Sequence, residues 1–254
     1  MTVAVITGGR DRIPTLFELE QLAEVLARRQ VTVLRHGDCR GTDKSIGAWV
    51  KARRLADVEV WPAEDHGSWP ACGPKRNLAM LKGSGGDLFG TTAKSPANLL
   101  IHFRGGVGTA DCTAAAIERG LPVEFITDVD EPRIWNRHHG EAPGPSVYIG
   151  RGSPLGNPFP VELADGETRA DGAERVLDKY RSWLWTRVRP GPAQDKAVVQ
   201  ALADLTPEHH VVCSCWPAHC HGEVVVKAWR WLNQSTLRPS ASPTTSPGVE
   251  PSRQ

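Results

Sequence analysis

The chain lacks any apolar run near the roughly 18 residues a membrane helix requires, and it lacks an excess of charge of either sign. Its 254 residues carry 30 Lys+Arg against 29 Asp+Glu, a formal net charge of +1. Neither a membrane-spanning protein nor a generally basic nucleic-acid wrapper is expected from such a chain. The start, Met1 to Gly9, is without the basic segment and cleavage site of a secretory leader, so the expected location is the cytoplasm. Methionine is scarce at 2 residues while tryptophan is abundant at 9. The 40% hydrophobic and 23% charged residues are those of a soluble folded chain. Cysteine is uneven: Cys39, Cys72 and Cys112 are scattered, whereas Cys213, Cys215 and Cys220 crowd together. In a reducing compartment such a cluster points to a metal or thiolate site rather than a disulfide framework.

Short, mostly β-branched apolar runs at Val3–Thr7, Val31–Leu34, Val58–Trp61, Leu99–Phe103 and Val123–Ile126 predict strands. Helical patterns lie between them. Thr15 and Glu18 form a capping-box signature ahead of Leu19, Leu22, Ala23 and Leu26, which predicts a helix over Thr15–Arg29. Asp43 is expected to cap a second helix carrying Ile46, Trp49 and Val50, and others follow at Pro74–Leu81 and Thr109–Arg119. The alternation implies an α/β fold: a Rossmann-like parallel sheet with helices on both faces, over residues 1–127. The stretch from Gly83 to Ala97 reads as a loop. Residues 128–146 are charged, aperiodic and Pro/Gly-containing, and read as a linker. A second, smaller α/β or α+β domain is expected over 147–232, with strands at Val147–Ile149 and His210–Cys215 and a last helix over Gly222–Leu232. The residues after it, 233–254, are too poor in apolar groups to fold and read as a disordered tail. His209 and His210, just before a strand, are expected to face solvent.

Three glycine-rich turns fall at the ends of predicted strands: Gly8-Gly9-Arg10-Asp11, His36-Gly37 through Arg40-Gly41-Thr42-Asp43, and Arg104-Gly105-Gly106-Val107-Gly108-Thr109. Ligands of an open parallel sheet bind at this end. Glycine lets the backbone approach a phosphate, and a helix starting near Thr109 offers free N–H groups to it. Arg10, Arg40 and Arg76 are candidate guanidinium forks for the oxygens. The expected partner is a small phosphorylated, nucleotide-type ligand.

These turns, with Gly73-Pro74-Lys75-Arg76-Asn77-Leu78-Ala79-Met80, resemble the SLOG superfamily of Rossmann-like domains, and within it a bacterial and phage branch with the same Gly-Pro-x-Arg-Asn-x-x-Met element. The superfamily includes the lonely-guy phosphoribohydrolases and the DNA-processing protein A recombination mediators. The resemblance covers the first half of the chain. It implies a nucleotide site made by Gly8, Gly9, Arg10, Gly37, Arg40, Gly41, Arg76, Asn77, Gly105, Gly106, Gly108 and Thr109, with phosphate on the Gly105–Thr109 loop. The phosphoribohydrolases continue this loop as Gly-Thr-x-x-Glu, and the glutamate helps cleave the base from the ribose phosphate. Here Cys112 stands at that position. Asp111, one residue earlier, is the candidate substitute, although one residue on a helix is a rotation of about 100°.

The second unit offers Cys213, Cys215, Cys220 and His221 within nine positions, a donor set sufficient for tetrahedral zinc. Two alternatives stay open: Cys220 at a helix N-terminus as a reactive, catalytic thiolate, or small core cysteines with His221 as a helix cap. The unit also resembles an uncharacterised small domain through its Pro154-Leu155-Gly156-Asn157-Pro158-Phe159 loop and the cysteine turn. Arg151 and Asn157 on that loop are candidate donors to a second ligand.

Three functions compete: an enzyme acting on a nucleotide or nucleoside phosphate at its N-glycosidic bond, a non-catalytic nucleotide sensor or sequestering protein, and a DNA-binding mediator. Residues 1–130 hold 16 basic and 16 acidic side chains, and residues 131–254 hold 14 and 13. Neither half has the basic excess that binding to extended nucleic acid calls for, which argues against the mediator; a Cys/His cluster beside a phosphate-binding domain suggests chemistry more than storage and places nucleotide processing ahead of the sensor. A homo-oligomer is left open.

Overall fold

The computed structural model describes residues 1–83 and 94–233. The middle of the loop read at Gly83–Ala97 and the tail after Asn233 lie outside the described residues. No described helix is long and apolar enough to cross a membrane.

The first half is a five-stranded, wholly parallel sheet. Its strands are β1 (Thr2–Thr7), β2 (Val31–His36), β3 (Asp57–Val60), β4 (Leu99–His102) and β5 (Val123–Phe125), in the order β3-β2-β1-β4-β5. Helices α1 (Leu16–Arg28), α2 (Thr42–Ala52), α3 (Cys72–Lys82) and α4 (Val107–Glu118) connect them. Side-chain alternation along the strands separates two apolar layers. Ala4, Ile6, Leu99 and Ile101 pack with Leu19, Leu22, Ile46 and Trp49 of α1 and α2. Val5 and Leu100 turn to the other face, against Met80 and Leu81 of α3 and Cys112 and Ala116 of α4. Each fully buried Val, Leu or Ile contributes about 1.5–3 kcal/mol, so these runs fix the register.

The expected capping box of α1 is present: Glu18 N donates to Thr15 Oγ1 at 3.3 Å, and Thr15 N donates to Glu18 Oε2 at 2.8 Å. Asp43 differs from expectation. Gly41 occupies the cap position of α2, and the Asp43 carboxylate reaches back from the first turn to accept from Gly37 N (3.0 Å) and Cys39 N (3.3 Å). It organises the loop ahead of the helix.

The second half is also α/β. Its three parallel strands run in the order β6-β8-β7, with β6 at Arg133–Asn136, β7 at Ser146–Tyr148 and β8 at His210–Cys213. Helices α5 (Arg169–Val188), α6 (Lys196–Ala203) and α7 (His221–Leu232) complete it. The stretch read as a linker thus supplies a strand: Ile134 is buried against α7 and β8, and Asn136 donates to the Trp216 carbonyl. His210, expected in solvent, is buried inside central β8, with Trp135 edge-on at 6.2 Å.

The two halves share one apolar layer, which extends from Ala4 and Leu22 to Val211 and Trp229. Ion pairs on α7 fasten the junction. Arg230 meets Glu131 and Glu20, both at 2.9 Å, and Glu223 meets Arg53 of α2 at 2.6 Å.

Candidate functional site

The strand order reverses between β1 and β4, the place where open α/β sheets bind ligands. A cleft of about 710 Å³ lies there, at the carboxyl ends of both strands. Its floor is the turn after β1, Gly8 and Gly9, and the turn after β4, Arg104 to Gly106. The two turns are tied by Gly9 N donating to Arg104 O at 3.1 Å. Gly105 must be glycine, because a Cβ there would lie 2.7 Å from Thr109 Cβ and 2.9 Å from Gly9 N. Gly106 precedes α4 at its cap position, and among the described residues no side chain caps the helix's first N–H groups.

Arg10, Asn77, Gly108, Thr109 and Asp111 also line the cleft, as the sequence reading expected of the first four, with Asp111 the carboxylate on α4. Asn77 holds the glycine loop in place: its Nδ2 donates to Gly108 O at 3.3 Å, and its Oδ1 accepts from Arg76 Nε at 2.9 Å. Arg76 lines the cleft but is buried, and its donors are engaged. Nη1 donates to the carbonyls of Gly37 and Trp61, the latter at 3.2 Å, and Nη2 faces Cys39 Sγ at 4.0 Å. The guanidinium is thereby held in place in the cleft lining by protein carbonyls.

Gly37, Arg40 and Gly41 do not line the cleft. Gly37 is closed off by the Arg76 guanidinium, Gly41 backs onto the carbonyls of Gly9 and Arg10, and exposed Arg40 pairs at 2.6 Å with Asp11, which does line the cleft. Cys112 is absent from the lining as well. It is fully buried in the layer between sheet and α4, and burial pushes its thiol up to about 11. The step from Asp111 to Cys112 around the helix is a step from the cleft into the core.

Trp69, Pro70 and Arg12, which carried no signal in the sequence, complete the site: Trp69 and Pro70 form one wall, and Arg12 contributes with Cys39 and with Asp43 and Arg104 of the glycine-rich turns. Trp69 is 70% exposed, with Arg10 Cζ 5.3 Å from its ring centroid. A lone tryptophan in an aperiodic segment carries no sequence signal of a site. Asp43 is buried, and burial raises its carboxyl above the usual range against the opposing charge of Arg76 and the N–H groups of Cys39 and Gly37.

The cysteine cluster lies apart from this cleft. β8 ends at Cys213, two residues earlier than expected, and the turn that follows still returns Cys215 and Cys220 to it. Cys213 and Cys215 Sγ each lie 3.0 Å from Cys220 Sγ and 3.6 Å from each other. Such a buried group of three sulfurs can hold a metal ion. Hydrogen bonds from Cys215 and Cys220 hold the Cys213 thiol well below its ordinary range, while burial pushes Cys220 up. His221 adjoins the group, with Nδ1 3.3 Å from Cys215 Sγ. Its Nε2 lies 2.7 Å from Ile149 O, and since a carbonyl only accepts, Nε2 carries the hydrogen. Cys220 is fully buried and caps α7, its Sγ accepting from Gly222 N at 3.3 Å. A sulfur so enclosed, and outside the cleft lining, does not reach a ligand held in the cleft.

Arg151 and Asn157 line a separate hollow of about 530 Å³ between their loop and helices α5 and α6. Asn157 Oδ1 accepts from Phe159 N at 2.9 Å, which fixes the turn. The loop meets the cysteine turn through buried Tyr180, whose hydroxyl donates to Leu155 O at 2.6 Å while its ring lies edge-on to His221 at 5.7 Å.

Among known proteins, residues 134–231 match a family described as a domain of unknown function (DUF4326). The match begins inside β6 and spans the whole cysteine cluster. No curated protein and no solved structure matches the chain.

Proposed function

We propose that the cleft binds a nucleoside phosphate and promotes hydrolysis of its N-glycosidic bond. The observation that carries the reading is the N-terminus of α4, which has Gly106 at its cap, no side-chain cap among the described residues, and its first turn in the wall of the cleft. Free N–H groups and the positive end of the helix dipole favour an anion there. Arg10 at the lining and the buried Arg76 charge add to the same field, while Arg104 is already paired with Asp128 at 2.6 Å, and the volume suits a nucleotide-sized ligand. The resemblance of the glycine turns to the SLOG superfamily points to the same ligand class.

Asp111 lines the cleft on the first turns of α4 and is exposed. In the hydrolytic reading its carboxylate takes a proton from the attacking water, whose oxygen bonds to the anomeric carbon. The base leaves with the electrons of the C–N bond and takes up the proton that Asp111 removed from the water, which returns the carboxylate to its starting state. A specific observation favours binding without hydrolysis as the second reading: the position of the superfamily glutamate is Cys112, which is buried away from the cleft. Incubation with a panel of nucleoside monophosphates, followed by chromatography for free base, separates the two. Base release that disappears in Asp111→Asn while phosphate binding persists supports hydrolysis. Binding with no released base leaves the sensor.

For the second unit we infer that the three-sulfur group Cys213, Cys215 and Cys220 holds zinc as thiolate ligands, and that His221, whose Nδ1 adjoins Cys215 alone of the three, turns in as the fourth ligand when the metal binds. The donor set suits it: sulfur separations of 3.0 to 3.6 Å approach the edge of about 3.8 Å that tetrahedral Zn–S bonds of about 2.3 Å define. The contact between His221 Nε2 and Ile149 O is the outer hydrogen bond that a ligating imidazole makes through its other nitrogen. A closed, buried site of this kind supplies folding energy rather than chemistry.

A further inference from the structure

Beside the N–H groups at the start of α4, the cleft also presents large apolar side chains to solvent. Trp69 is 70% exposed and Val107 is 79% exposed, both among the cleft-lining residues. Burying side chains of this size is worth about 1.5–3 kcal/mol each, so two of them left open on one cleft mark a surface that an apolar ligand face covers. Trp69 sits in the short segment between the 3-10 turn at Ala63–His66 and α3. Its indole is kept at the cleft by the Arg10 guanidinium on the ring, 5.3 Å from the centroid.

We propose that Trp69 is the base-recognition residue of this site: the nucleobase stacks on the indole face that Arg10 leaves open, while the phosphate of the same ligand meets the N-terminus of α4. An indole reads any base through its π-face and has no hydrogen-bond acceptor with which to choose among them. The site therefore requires a base but discriminates weakly between purines and pyrimidines at this wall, purines gaining only their larger stacking area. The inference rests on the phosphate reading of the cleft, and the test separates the two.

AMP, UMP and ribose 5-phosphate are titrated into the full chain, the Trp69→Ala variant and the Trp69→Phe variant, with melting temperature as the control for folding. Stacking on an aromatic side chain corresponds to about 5- to 150-fold in affinity on alanine substitution. The expected result is a loss of AMP affinity in that range for Trp69→Ala, a smaller loss for UMP, no change for ribose 5-phosphate, and substantial retention in Trp69→Phe. Tryptophan fluorescence should be quenched by AMP in the native chain and not in Trp69→Phe. Undiminished AMP binding by Trp69→Ala, or an equal loss for AMP and ribose 5-phosphate, overturns the stacking role and leaves the phosphate site standing. Failure of all three probes to bind the native chain overturns the phosphate site and this proposal with it.

Discussion

Arg230→Met tests how the two halves of the chain are held together. Arg230 lies on α7 and grips the Glu131 carboxylate with Nε at 3.0 Å and Nη2 at 2.9 Å, while Nη1 meets Glu20 of α1 at 2.9 Å. Glu131 is 0% exposed, and its Oε1 also accepts from Phe17 N at 2.6 Å. Methionine keeps an apolar stem of similar length but removes the guanidinium that lies over the Phe17 ring, 5.3 Å from its centroid, and leaves a buried carboxylate without its cation. Breaking a buried pair in this way costs about 3–5 kcal/mol. The contact with Glu20, which is partly exposed, adds about 0–1 kcal/mol. Because Arg230 is itself 24% exposed, the lower part of the range applies, about 3–4 kcal/mol, or roughly 6–16 °C in a melt for a unit of this size.

The pH dependence has a definite sign. Burial raises the Glu131 carboxyl above its ordinary value, with Arg230 and the Phe17 N–H opposing. A carboxyl raised on folding gives stability that is present below its unfolded value and lost as pH rises through its folded value. Removing Arg230 raises the folded value further, so the deficit of Arg230→Met should shrink as pH falls from 8 toward 5. The double variant Glu131→Gln/Arg230→Met, with no buried charge, should recover much of the loss. Differential scanning fluorimetry of the three variants across this range is the assay. A melting temperature within 2 °C of the native chain, or a deficit independent of pH, refutes the buried-pair reasoning.

Two further outcomes follow from the same geometry. Purified under reducing conditions, the protein should carry about one zinc per chain by elemental analysis, and Cys213→Ser should lose the metal and melt earlier; metal content that does not respond to the substitution removes the zinc reading. Gly37→Ala should drive the Arg76 guanidinium from its buried seat, since the new Cβ would occupy the same space, and a cost of about 1–3 kcal/mol is expected from the hydrogen bonds lost to the Gly37 and Trp61 carbonyls. An unchanged urea midpoint would mean that Arg76 is not held there.

The strands and helices of the first half were legible because each carries its own period: Val3 to Thr7 alternates between two apolar layers, and Thr15 and Glu18 announce a helix locally. β6 was not legible. Arg133-Ile134-Trp135-Asn136 is too short for a period and sits among prolines and charges, and only pairing with distant β8 makes it a strand. The cleft floor followed from glycines at strand ends, whereas the protein partners of Arg40 and Arg76 did not. Their partners, Asp11 for one and the Gly37 and Trp61 carbonyls for the other, are set by folding and leave no mark in local sequence. Trp69 was invisible for the same reason. The crowding of Cys213, Cys215 and Cys220 was visible, and the contacts of His221 with Cys215 and Ile149 were not.

The central claim is that an anion seats on the N-terminus of α4, and Gly106→Asp addresses it most directly. Gly106 has φ −97°, and a Cβ there would meet nothing within 4 Å. Aspartate is a favourable cap residue, so the fold should be unharmed or slightly stabilised, while its carboxylate occupies the phosphate position with the same charge. Calorimetric titration of AMP into the native chain should give measurable binding, and into Gly106→Asp none, at equal or higher melting temperature. Binding of equal strength to both, or to neither, would contradict the account.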